Sequence, residues 1–307
     1  MTRIEDANAA NGITMSHIPV LLRESINVLD LAPGEFAIDG TIGGGGHARE
    51  ILKKISPGGT LLGIDWDSEA IKKLSSRLSS LSSHLVFTQG NYADLPEIVR
   101  AHTLKKADAI FLDLGSSSDQ LEGSGRGFSF QKDEPLLMTY DDGRMPAWKI
   151  LKNISEAELA KIIKELGGEK YAKRIAKAIK NSGKVSPIRT SGELAKIVRE
   201  TLPKNYENGR IDPATRTFQA LRIYANDELG NLKKVLAAIP KIVSPGGRVA
   251  IITFQSLEDD MVKDAFWHMV QEKTAQLIVK SPIVASVQEL KANIRSRSAR
   301  LRAIRIL

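Results

Sequence analysis

The chain has 307 residues, is 42% hydrophobic and carries a formal net charge of +8, which gives it enough apolar length for a large core and points toward a polyanionic partner. It contains no cysteine, so disulfides and thiolate metal sites are excluded and nothing indicates an oxidising compartment. No apolar run approaches the roughly 20 residues that span a bilayer, and the opening MTRIEDANAANGITMSH lacks the basic-then-apolar pattern of a secretion signal; a soluble, cytoplasmic protein with no membrane role is expected.

Short Val/Ile/Leu/Phe runs alternate with helical patterning along the first part of the chain. Strands are predicted at Phe36–Asp39, Thr60–Asp65, Leu85–Thr88 and Ala109–Asp113, with helices over Ala48–Ile55, Ser68–Leu81 and Asp94–His102. This alternation predicts an α/β fold with a parallel, doubly wound, Rossmann-like sheet. The loop SSSDQLEGSGRGFSFQKDEP then leads into a different composition. From Lys149 to Lys204 there are 14 Lys and Arg against 6 Asp and Glu, so the whole charge excess lies in this one segment. Its apolar residues fall at helical spacing, and Ser155 and Thr190 are each followed three residues on by Glu158 and Glu193, the pattern of a capping box. Three helices are predicted there. Strand and helix patterning resumes with helices over Ala214–Ile239 and Leu257–Gln271 and strands over Arg248–Phe254 and Leu301–Ile306. The expected organisation is a discontinuous sheet domain, 1–130 and 210–307, interrupted by a basic, all-helical insertion, 131–209, suited to substrate recognition.

Four consecutive glycines, Gly43–Gly46, follow the first strand in AIDGTIGGGGHA. A glycine turn at the carboxyl edge of a parallel sheet lets a ligand approach the backbone. The second strand ends in Asp65, where an acid in this fold accepts ribose hydroxyls. A dinucleotide and S-adenosylmethionine both meet that description. His47 at the helix start and the acid ending the first strand fit a pyrophosphate site poorly, whereas Asp39 and Asp113 suit a cationic sulfonium and amino group. S-adenosylmethionine is therefore the favoured cofactor. At the end of the fourth strand, FLDLGSSSDQL places Asp113 and Ser116–Ser118 where a donor methyl and a substrate amine would meet. Methyl transfer asks mainly for alignment, and an alkylated amine must lose a proton, so Asp113 and Ser117 are the catalytic candidates. No metal is required.

The segments HIPVLL, DGTIGGGGH, IDWDSEAI, DLGSSSDQL, RGFSF, RTSGELAKIV, PATRTFQALRI, SLED and RSRSARLRA occur in this order. Together they resemble the ribosomal small-subunit RNA (cytosine-N4)-methyltransferase family, from about His17 onward. The resemblance implies methylation of N4 of a cytosine in the decoding centre of 16S rRNA, with the small ribosomal subunit as partner. It assigns S-adenosylmethionine contacts to Gly45, Gly46, His47, Asp65, Tyr92, Asp113 and Gln120. The target base is expected at the Asp113–Ser118 edge in an unstacked form. Lys173 and Lys177, four apart on one helix face, are candidate phosphate contacts. Arg216 and Arg222 stand equally as phosphate contacts or as members of structural ion pairs. The chain departs from the family pattern at Leu137, Thr139, Asp212, Gln255 and Asp260, near the expected RNA side. A methyltransferase with another RNA target, or an RNA-binding assembly factor with reduced catalysis, remain the alternatives. The oligomeric state is left open, a homodimer included.

Overall fold

The computed structural model describes residues 19–78, 84–115 and 124–307. In chain order the helices are α1 (Leu22–Leu29), α2 (Gly46–Ile55), α3 (Ser68–Leu78), α4 (Leu95–Ala101), α5 (Ala147–Asn153), α6 (Glu156–Gly167), α7 (Ala172–Val185), α8 (Ser191–Thr201), α9 (Thr215–Asn226), α10 (Glu228–Ile242), α11 (Ser256–Gln271) and α12 (Val287–Ala292). The strands are β1 (Phe36–Asp39), β2 (Thr60–Asp65), β3 (Leu85–Gln89), β4 (Ala107–Asp113), β5 (Val243–Thr253), β6 (Ala275–Leu277), β7 (Ile283–Val284) and β8 (Arg300–Ile306). They fall into two compact units, Met1–Gly115 with Asn231–Leu307, and Ser116–Gly230.

The first unit holds an eight-stranded sheet among the described residues, in the order β3-β2-β1-β4-β5-β8-β6 with β7 also paired to β8. The ladders from β3 through β5 are parallel, whereas β8 runs antiparallel to β5, β6 and β7. Successive residues of β1 point to opposite faces. Phe36 and Ile38 pack with Leu95, Leu236, Val262 and Phe266, while Ala37 packs with Val28, Ile51, Leu52 and Leu74. Both faces are thus covered, which is why these strands read as nearly continuous apolar runs. Because β1 lies between β2 and β4, the connections diverge there, and the crevice at its carboxyl end is the ligand position of doubly wound sheets.

The opposite, amino edge is pinned by one buried arginine. Arg248 of β5 is 6% exposed. Its guanidinium donates to the carbonyls of Leu29 (2.6 Å), Asp30 (2.7 Å) and Asp108 (3.1 Å) and to both carboxylate oxygens of Glu35 at 2.9 and 2.7 Å. Those bonds satisfy the carbonyls where α1 ends in a left-handed residue, Asp30 with φ 44°.

The second unit is helical, with its own core of Leu151, Leu159, Ile163, Ile175, Leu194, Phe218 and their neighbours. The three predicted helices correspond to α6, α7 and α8, and α5 precedes them. Thr190 accepts from Glu193 N while the Glu193 side chain accepts from Thr190 N, the reciprocal capping box expected there; at Ser155 the side chain accepts from Glu158 N. Helices α6 and α9 meet at Gly167, where a Cβ would stand 2.4 Å from the carbonyl oxygen of Arg216. The single helix expected over Ala214–Ile239 is broken at Asp227, in the left-handed region with φ 50°. Asn226 stabilises the break: its side-chain oxygen accepts from Tyr140 N, and its amide nitrogen donates to the carbonyls of Met138 and Arg222. By compactness, residues 124–130 and 210–230 group with the helices, whereas the boundaries expected from charge and pattern lay at 130/131 and 209/210.

Candidate active site

The carboxyl ends of β1, β2 and β4 present Asp39, Asp65 and Asp113. The turn after β1 is bound to all three. Thr41 N donates to Asp39 Oδ1 (3.1 Å), Gly43 N to Asp65 Oδ2 (2.9 Å), and Asp113 N to Thr41 Oγ1 (2.6 Å). Gly43 and Gly45 take left-handed φ values of 48° and 79°, which only glycine adopts without strain. A Cβ at Gly45 would also lie 2.4 Å from Leu74 Cδ2, while one at Gly44 would meet nothing within 4 Å. The turn is therefore tight toward the protein at Gly45 and open at Gly44, and Gly46 begins α2.

The electrostatics of this edge are one-sided. Burial pushes the Asp39 carboxyl up to about 7, with the charges of Asp113 and Asp65 adding to the rise against the bonds from Thr41. Burial pushes Asp113 up to about 7 as well, and the Glu258 charge adds to it. Although Asp113 as a residue is half-buried, its Oδ1 is shielded and has no hydrogen-bond partner among the described residues. Burial also raises Asp65, whose Oδ1 accepts from Asp67 N at 2.9 Å. Among the described residues no lysine or arginine pairs with any of the three. Carboxylates so placed favour a cation, and a ligand carrying a sulfonium and an ammonium supplies it. These residues fit S-adenosylmethionine.

Tyr92 opens a short 3-10 turn after β3, and a Cβ on Gly40, at the end of β1, would stand 3.2 Å from Tyr92 Cβ. That puts the tyrosine beside the acidic edge. His47 is 6% exposed in the first turn of α2; its Nε2 bonds the Val20 carbonyl at 3.0 Å and its ring packs on Phe111 with centroids 4.3 Å apart. It straps the segment before α1 to the turn. Ser117 and Gln120 lie outside the described residues. At the carboxyl end of β5, a hollow of about 390 Å³ is lined by Phe254, Gln255, Ser256, Val284, Arg297 and Arg300. Thr41 was not among the residues expected from sequence. Glu258 accepts from Phe254 N and from Gln255 Nε2.

In the helical unit, Lys173 and Lys177 are exposed on α7 and make no ion pair among the described residues. Arg216 pairs with Glu207 at 2.9 Å, and Arg222 grips Glu228 through two bonds of 2.9 and 3.1 Å. The positions that depart from the family pattern have local partners or lie in the core. Thr139 accepts from Arg126 through its carbonyl and hydroxyl, Asp212 pairs with Arg199, Asp260 pairs with Lys263, and Leu137 is itself half-buried, between the fully buried Leu136 and Met138.

A doubly wound sheet with a glycine turn at its switch point and three acids at its carboxyl edge suits an S-adenosylmethionine-dependent methyltransferase. The chain belongs to the MraW methylase family, whose model matches residues 14–307. It is 41% identical to ribosomal RNA small subunit methyltransferase H of Syntrophotalea carbinolica, over 95% of this chain and 98% of that protein. The proteins of the same name from Syntrophus aciditrophicus and Clostridioides difficile are 41% and 39% identical, over 93% of this chain and 96% and 97% of theirs.

Proposed function

We propose that this enzyme transfers a methyl group from S-adenosylmethionine to the N4 amine of a cytosine in the 16S rRNA of the small ribosomal subunit. The relatives' names supply the substrate class. The observation that carries the chemistry is the set of Asp39, Asp65 and Asp113 around the Gly43–Gly46 turn, a cation-seeking edge with a ribose acceptor. Asp65 takes the ribose hydroxyls, Tyr92 covers the adenine, and Gly45 and Gly46 allow backbone contact. His47 holds the turn closed. Asp113 faces both donor and amine and accepts the proton released by alkylation; Ser117 and Gln120 follow it in the sequence. The base reaches this edge unstacked, since an amine inside a stacked helix cannot approach a buried methyl.

Lys173 and Lys177 supply phosphate contacts, supported by their exposure and the absence of acidic partners among the described residues. Arg216 and Arg222 must exchange Glu207 and Glu228 for phosphate before they contribute. No helix among the described residues is long and apolar enough to cross a membrane, and the enzyme acts on ribosomal particles in the cytoplasm. The test is transfer of label from S-adenosylmethionine to small-subunit particles by the purified protein, followed by nucleoside analysis. Label in N4-methylcytidine is expected. Label in any other nucleoside would refute the assigned target, and bound but unlabelled particles would favour an assembly factor.

A further inference from the structure

The carboxyl edge of the sheet changes sign along its length. In the ladder between β4 and β5 Asp113 is opposite Ile252, and in the next, between β5 and β8, Thr253 is opposite Arg300. Because β8 runs antiparallel, its first residue comes to the edge where the parallel strands end, two strand spacings or about 10 Å from β4. From Lys280 to Leu307 there are seven Lys and Arg against one acid, Glu289. The acids suited to a cationic donor thus give way, across β5, to guanidinium groups suited to an anion.

At this end of β5 lies the hollow of about 390 Å³, a size within the roughly 300–1,000 Å³ of small-molecule sites. Phe254, Val284, Ala285 and Leu290 form its apolar lining, Arg297 and Arg300 its basic one. Phe254 joins the hollow to the cofactor edge: a Cβ on Gly115, two residues past Asp113, would stand 2.7 Å from its Cε2. The backbone that carries Phe254 is held by the buried Glu258, which accepts from Phe254 N at 3.0 Å and from Gln255 Nε2 at 2.7 Å. Arg300 is held as well, donating from Nη1 to Asp259 at 3.0 Å, while Arg302 gives the same carboxylate two bonds of its own. That single bond leaves Arg300 most of its guanidinium donors, on a side chain 48% exposed. Arg297 is exposed and makes no ion pair among the described residues.

We propose that this hollow seats the RNA nucleotide next to the target cytosine, its base against Phe254 and the aliphatic wall and its phosphate against Arg297 and Arg300. This rests on the reading that the target base is presented to Asp113. A nucleotide answers both halves of the lining. Every base has a face that stacks on an aromatic ring whatever its identity, and a guanidinium fork meets phosphate oxygens in pairs. An apolar segment of a protein partner would fill the same wall but leave both arginines without an anion. The place also follows from the chemistry. A base drawn out of its stack leaves its neighbours without a stacking partner, and a site one strand over from Asp113 gives one of them a new surface and fixes the strand on which the target is presented. Phe254, Arg297 and Arg300 act in this scheme as positioning residues.

The test is steady-state transfer of label from S-adenosylmethionine to small-subunit particles, with donor affinity measured separately by calorimetry. Arg297→Glu is expected to raise the KM for particles at least about tenfold, the loss of one charge-assisted contact, and to lower the slope of log affinity against log salt by about 0.7. Its kcat at saturating particles and its donor affinity should stay near wild type. Arg297→Lys, which keeps the charge but not the fork, should fall between the two. Phe254→Leu keeps an apolar wall and should raise the KM about fivefold or more through lost stacking. Ultraviolet cross-linking of the wild-type complex should join Phe254 or residues 284–300 to the nucleotide beside the methylated one. Unchanged KM and salt slope in Arg297→Glu, or cross-links from this segment to a ribosomal protein or a second copy of the chain in place of RNA, overturn the inference and leave the assigned reaction standing. A wild-type protein that transfers no label to particles overturns the assigned reaction, and the inference with it.

Discussion

Replacing Asp65 with alanine tests the cofactor edge most directly. The carboxylate is 6% exposed, and each oxygen already accepts one amide, Gly43 N and Asp67 N, both at 2.9 Å. The Trp66 amide bears on the carboxylate as well, which leaves one of its four lone-pair directions for a ribose hydroxyl. A charge-assisted hydrogen bond is worth about 1.5–3 kcal/mol, so losing the ribose interaction should weaken S-adenosylmethionine about 10- to 150-fold. The turn adds to this. Gly43 and Asp67 are half-buried, so water replaces part of what their amides lose, and the less ordered turn costs about another 0.5–1.5 kcal/mol. Isothermal calorimetry on Asp65→Ala, with Asp65→Asn as the variant that keeps an acceptor oxygen, reads both contributions. The asparagine variant should fall between the alanine variant and the wild type. Wild-type affinity in Asp65→Ala would refute the assignment of the ribose to this strand end.

Arg248→Leu should destabilise the sheet unit by about 3 kcal/mol, the low end for breaking a buried pair because Glu35 keeps some access to water; an unchanged denaturant midpoint would contradict its pinning role. Gly167→Ala forces a methyl against the Arg216 carbonyl, so α6 and α9 must separate at a cost of about 1–3 kcal/mol, read by the same titration. Lys173→Glu together with Lys177→Glu should reduce the slope of log affinity for RNA against log salt by at least about 1.4, two contacts at ~0.7 each, with S-adenosylmethionine binding unaffected. Burial pushes the Asp39 carboxyl up to about 7 from 3.8 for the free group, so its stabilising contribution is full below about pH 4 and is lost as the pH rises through about 7. The thermal midpoint of the ligand-free wild type, relative to Asp39→Asn, should accordingly fall between about pH 5 and pH 8, and a rising difference would contradict the shift.

What could be read beforehand follows physical lines. β1 and β2 match their predicted spans because doubly buried parallel strands are apolar throughout and end at an acid or a glycine. β6 and β7, with three and two residues, are too short to show a period. β8 was seen as a strand, but its antiparallel direction depends on partners that no local pattern names. α1 spans eight residues between two left-handed ones, Leu21 and Asp30, and neither is a glycine that would mark a boundary. The break at Asp227 rests on the Asn226 side chain reaching Met138, 88 residues away. At the site, Asp39, Asp65 and Asp113 were legible because strand ends are legible. Thr41 was not, since its importance comes from the neighbouring strand's Asp113 amide. The partners of Arg216 and Arg222, Glu207 and Glu228, lie close in sequence, but only the helix geometry shows that they engage.

The interior position of β8 bears on how the protein is made. β4 would be an inner strand of the finished sheet, yet its neighbour β5 and then β8 are synthesised only after the helical unit. At about 5–20 residues per second, the roughly 130 residues from the end of β4 to the start of β5 take the ribosome about 7–26 s to add. Throughout that interval the first four strands have an open edge and apolar faces still waiting for α10 and α11, while the helices between them, built from nearby contacts, are free to fold. The nascent chain is thus most vulnerable to aggregation in the middle of its own translation, and a pause or truncation between residues 115 and 243 would leave that edge exposed.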